Sequence, residues 1–105
     1  MEKFMNKALA LVNEVDYSED SVVSKIIYKN PHVILTLFAL AEGQSIVEHL
    51  TPFDAMVQVI EGEAELVIGG ETKVVRAGES LIMPANVQHA LFAKHAYKML
   101  LVMMK

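Results

Sequence analysis

Apolar residues along this chain change their period once, near residue 21. Before it, Phe4, Ala8, Leu11 and Val15 recur at spacings of four, three and four. That fits one face of a short amphipathic helix, although Asn6 and Asn13 interrupt it and a packed extended arm suits the same pattern. The turn cluster at residues 16–21 ends this segment, and β-branched and aromatic residues follow at Val22, Val23, Ile26, Ile27 and Tyr28. From there on the period is two.

Asn30-Pro31 signals a turn, and residues 33–40 then read as a strand apolar on both faces, which predicts a covering on both. Glu42-Gly43 turns the chain into a strand over 45–50, and Pro52 separates it from 55–60, where Ala55, Val57 and Val59 face one way and Met56, Gln58 and Ile60 the other. After Gly62, residues 63–68 alternate Ala64, Leu66 and Ile68 against Glu63, Glu65 and Val67, and Gly69-Gly70 makes a compact hairpin into 72–76. Strands at 80–83, 88–93 and 97–103 follow, separated by Gly78 and by Pro84-Ala-Asn86. Short strands at regular spacing predict an all-β sandwich or barrel over residues 21–105, preceded by an arm over 1–20. No interior segment is long enough for the helix of a parallel crossover.

Composition narrows the partners. With 105 residues and 53% hydrophobic content, one packed domain is expected. A net charge of −4 offers no basic field for nucleic acid or anionic lipid, and the absence of cysteine excludes disulfides and thiolate chemistry. The longest near-continuous apolar run, 33–41, is too short to span a bilayer, and the first residues carry no signal-like pattern, so the expected setting is the cytoplasm. Apolar residues on both sides of 33–40, and again at 100–104, lead to the expectation of a homodimer.

Candidate chemistry centres on His49 and His89. By alternation Val47, His49 and Thr51 share one face, and Val87, His89 and Leu91 another. The spacing around these histidines resembles that of the cupins in their small, single-domain form. Gly43, His49 and Gly62 hold the places of the family's first motif, and Gly78, Pro84 and His89 those of its second. The resemblance implies a double-stranded β-helix, or jelly roll, with core motifs over 43–93. It further implies a cup in which three histidines and a glutamate hold manganese, iron, nickel, copper or zinc.

Departures from the motif fall on the ligands. The family's second histidine is replaced by Thr51, its glutamate by Ala55, its second-motif glycine by Asn86 and its asparagine by Ala93. A threonine hydroxyl is neutral at pH 7, and alanine offers no donor at all. Asp54 adjoins the vacated glutamate position, but one step along a strand turns it to the opposite face unless Pro52 introduces a bulge. Two readings stay open. One is a small-molecule-binding cup lined by Val47, Thr51, Val57 and Met83 with His49 and His89. The other is a metal-dependent dioxygenase or isomerase whose ion is weakly held by His49 and His89 alone. A sugar-sensing module is a third, disfavoured because no DNA-binding segment accompanies the barrel.

Plain structural roles stand beside these. His49 and His89 also suit hydrogen-bonded interior positions, and His32 and His95 suit the surface. The seven methionines suit adaptable core packing, and Glu61, Glu63, Glu65 and Glu71 a solvated edge. Gly62 and Gly69-Gly70 are turn glycines with no phosphate loop around them, and no serine stands in a nucleophile elbow.

Overall fold

Alternating burial along nine strands builds the described part of the molecule, residues 4–47 and 50–105 of the computed structural model. In chain order these are β1 (Val22–Lys29), β2 (Val33–Leu40), β3 (Ser45–Val47), β4 (Asp54–Glu61) and β5 (Glu63–Ile68). They are followed by β6 (Glu71–Arg76), β7 (Ser80–Met83), β8 (His89–Phe92) and β9 (Tyr97–Met104). Two antiparallel sheets result, a five-stranded one ordered β1-β2-β9-β4-β7 and a four-stranded one ordered β3-β8-β5-β6. Adjacent strands in the sheets are mostly distant in sequence, the mark of the expected jelly roll.

The main core lies between the sheets. On β4, Ala55, Val57 and Val59 are buried while Met56, Gln58 and Ile60 on the other face are only half-buried, so the period-two reading of this strand gives its inward side. Leu40, Ala64, Leu66, Val75, Leu91, Ala93, Tyr97 and Met99 complete that core. Turn chemistry sets the register: Gly69 and Gly70 adopt φ of +57° and +85°, as a two-residue hairpin between β5 and β6 requires. At Gly62 a side chain is excluded outright, because a Cβ there would lie 2.7 Å from the Ala96 carbonyl oxygen.

The N-terminal segment is largely an extended arm with a 3-10 turn over Leu11–Asn13, and among the described residues the amphipathic helix does not form. Asn6 sits at φ +58° and Ala10 is extended, so the helical run is broken twice. The apolar residues keep their job nevertheless. Val15, with Phe4 and Leu11, packs on Ile27, Leu37 and Ala39 on the outer face of the five-stranded sheet, forming a second core. Polar pins fix the arm: Lys98 Nζ donates to the Val12 carbonyl at 2.7 Å and lies 5.0 Å from the centre of the Tyr17 ring. Tyr17 in turn donates to Glu61 Oε2 at 2.6 Å, and Lys25 Nζ to the Glu14 carbonyl at 3.0 Å. Both faces of β2 are therefore covered around Leu37 and Ala39 from within one chain.

Candidate functional site

One end of the space between the sheets is left partly unfilled, and strand register shows why. Ala55 on β4 pairs with Met83 on β7 and with Met103 on β9, which places a small side chain between two long, flexible ones. Further along, Leu101 and Met99 of β9 and Phe38 of β2 continue the wall, while β8 supplies His89 and Leu91 from the opposite sheet. Thr51, in the loop before β4, closes one side. The cavity is small, about 20 Å³, room for about one water molecule. Its walls are hydrocarbon and thioether except at Thr51 and His89.

At the rim, two loops are stitched together. Asn86 N–H donates to the Thr51 carbonyl at 2.7 Å, and Ala85 N–H donates to Asp54 Oδ1, also at 2.7 Å. Asn86 takes φ +61°, a left-handed conformation that asparagine tolerates, and so stands in for the glycine its position would otherwise need. The Thr51 hydroxyl is bound locally: it donates to the Phe53 carbonyl and accepts the Phe53 N–H, both at 3.1 Å. That is the self-contained turn threonine often makes.

These bonds decide what the cup can hold. A metal site of the kind the resemblance implies needs several imidazole or carboxylate donors converging on one point. Among the described residues no three such side chains come together. Thr51 is engaged, Ala55 has no donor, and Asp54 is exposed at the rim with one oxygen committed to Ala85. His89 is left as the one described ligand-type side chain in the cup, so the described residues do not fit the metal. His49 lies outside the described residues.

His89 is buried, 7% exposed, and among the described residues its Nδ1 has no hydrogen-bond partner. A buried polar atom left unpaired costs roughly 1–3 kcal/mol. One other described side-chain atom shares this condition, the hydroxyl of fully buried Tyr97. Burial pushes the Tyr97 phenol well above its ordinary value, since the charged form cannot be solvated there.

Of the residues expected to line the cup, the structure brings Thr51, Met83 and His89 together. Val47 is not among them: it is 67% exposed, because β3 turns the adjacent Ile46 toward the core. Val57 faces inward but is packed solid in the core, one step deeper than Ala55. Phe38, Leu91, Met99, Leu101 and Met103 line the cup without having been expected. Leu91 shares the face of His89, but β2 and the end of β9 are apolar on both sides and show no inward face, and which end of each strand meets the cavity depends on register between distant segments. His32 and His95 are exposed, the latter 3.3 Å from Glu42 Oε1.

Comparison with known proteins places this geometry. The family model of the cupin domain matches residues 36–104. A conserved protein of unknown function from Streptococcus pyogenes has a similar structure, with a TM-score of 0.89 and 40% identity over 95% of this chain and 88% of its own. A cupin 2 conserved barrel domain protein from Leptotrichia buccalis aligns with a TM-score of 0.86 and 35% identity over 90% of this chain; the match spans 46% of that longer protein. A cupin superfamily protein from Desulfitobacterium hafniense gives a TM-score of 0.88 and 25% identity over 94% of this chain and 91% of its own. No curated protein matches the sequence.

Proposed function

The chain belongs to the cupin family, and we propose that it binds a small organic molecule in the cup of its barrel without a resident metal ion. The observation that carries this is the fate of the vacated ligand positions. Thr51 commits its hydroxyl proton and one lone pair to Phe53, and Ala55 opens space between Met83 and Met103 where the family places a carboxylate. Loss of donors and gain of apolar room at the same position suit an organic ligand. His89 is then a hydrogen-bonding group facing such a ligand.

Elemental analysis after incubation with manganese, iron, nickel, copper and zinc tests the reading. We expect no stoichiometric metal in the wild type. One equivalent retained through desalting, and lost in His89→Ala, would overturn the proposal in favour of a metal-dependent enzyme.

We also propose that the chain pairs with a second copy through the part of the outer sheet face that the arm leaves bare. There, Ile82, Met56 and Val102 lie in register across β7, β4 and β9, with Leu35 of β2 at the margin of the second core, and Ile82 is 61% exposed. Light scattering at micromolar concentration should give a dimer that Ile82→Glu converts to a monomer. A wild-type monomer under those conditions rules the pairing out.

A further inference from the structure

We infer that the ligand of the cup is a slender, uncharged, largely hydrocarbon molecule carrying a single hydrogen-bonding oxygen, such as an aliphatic or benzylic alcohol; this rests on the metal-free reading above. The argument runs from the unmet demands of the lining. Among the described residues two polar side chains line the cavity, and the Thr51 hydroxyl already commits its proton and one lone pair to Phe53. Among the described lining residues His89 Nδ1 is the one buried polar side-chain atom without a partner, so the described lining leaves one buried hydrogen bond to be made. A sugar or polyol brings several hydroxyls, each of which would be buried unpaired against methionine and leucine at roughly 1–3 kcal/mol apiece. Such ligands are rejected by the same arithmetic that keeps buried polar groups paired in proteins.

Charge is excluded on similar grounds. Among the described residues no lysine or arginine lines the cavity, and the carboxylate of Asp54 stands at the rim. A buried carboxylate would face that negative charge with a lone imidazole for support, and an unpaired ion is far more costly to desolvate than a neutral oxygen.

Shape follows from the methionines. With about 20 Å³ open to water centres, the cup is nearly filled as it stands. Thioether side chains repack at low cost, so Met83, Met99 and Met103 can move aside for a thin molecule but not for a rigid, bulky one. The head then meets His89, and the tail replaces contacts the methionines give up.

Thermal-shift and calorimetric titrations with 1-hexanol, sodium hexanoate and glucose test this on the whole chain. We expect 1-hexanol to raise the melting temperature and to bind at least tenfold more tightly than hexanoate, with no shift from glucose. His89→Leu should weaken 1-hexanol at least tenfold by removing the head contact, and Ala55→Leu, which fills the cup from the opposite wall, should abolish it. Binding of hexanoate or glucose as tight as that of 1-hexanol, lost in Ala55→Leu, overturns this inference while leaving an organic-ligand cup in place. Equal binding of 1-hexanol to wild type and both variants overturns it as well. Silence from all three probes overturns the inference, while the proposed function is decided by the elemental analysis above.

Discussion

The two ends of the barrel interior are built from the same strands and treat an unpaired polar atom differently. At the packed end, Tyr97 is enclosed with Leu40, Val59, Ala64 and Leu66, and its hydroxyl meets neither a partner nor a lined cavity. At the cup end, His89 Nδ1 is equally unpaired, but its side chain borders open space next to Ala55 and three methionines. The same defect is thus a plain loss in one place and an open valence in the other. Stability given up beside a cavity is how binding sites commonly look before their ligand arrives.

Holes sharpen the contrast most. Leu66→Ala at the packed end should cost about 2–5 kcal/mol in denaturant unfolding, because its surroundings are fully enclosed. Met83→Ala borders space that already exists and whose other walls are flexible, so its cost should fall at the low end, about 2 kcal/mol. Equal costs would mean that the cup is an ordinary part of the core.

Alkaline titration probes the packed end. An unfolded tyrosine loses its proton near pH ~10, whereas native Tyr97 keeps it to higher pH because burial disfavours the phenolate. The native state therefore binds more protons above pH ~10, and stability falls there by up to ~1.4 kcal/mol per pH unit from this group. Tyr97→Phe should flatten that slope in unfolding curves recorded at increasing pH; Tyr17, also raised by burial and by Glu61, leaves a remainder. At neutral pH the same substitution removes an unpaired hydroxyl and should stabilise the protein by about 1 kcal/mol while leaving 1-hexanol binding unchanged. Loss of stability instead would show that the hydroxyl has a role the packed end conceals.

The smallest effect concerns the rim. Asp54→Ala removes the bond to Ala85 N–H, which is exposed, so global stability should drop by only about 0.5 kcal/mol. Amide exchange at Ala85 should quicken all the same, since the stitch between the loops is gone. Unchanged exchange there would mean that Asn86 N–H to Thr51 holds the rim alone.

Much of this architecture was legible beforehand. The limits of β2, β5 and β7 follow from turn residues that leave the chain no alternative, such as Gly62 and Gly69-Gly70. The arm was ambiguous because a spacing of three and four suits a helix and a packed extended segment alike; Asn6 in the left-handed region settles it. The cup was half-legible. Motif spacing singled out His89, Thr51 and Ala55, but the Met83–Ala55–Met103 row joins three strands, and no local pattern reveals that register. Nor could the sequence tell that Thr51 and Asp54 would be bound to Phe53 and Ala85, which leaves His89 as the one ligand-type side chain in the cup among the described residues.

The measurement that bears most directly on the central claim is the melting temperature of His89→Leu against wild type, with and without 1-hexanol. Removing an unpaired buried nitrogen should leave the ligand-free variant at least as stable as wild type, by up to about 1 kcal/mol, and insensitive to the alcohol that stabilises the parent. A variant that melts well below wild type, or one that 1-hexanol stabilises just as strongly, would contradict the reading of His89 as a binding group held ready in an otherwise apolar cup.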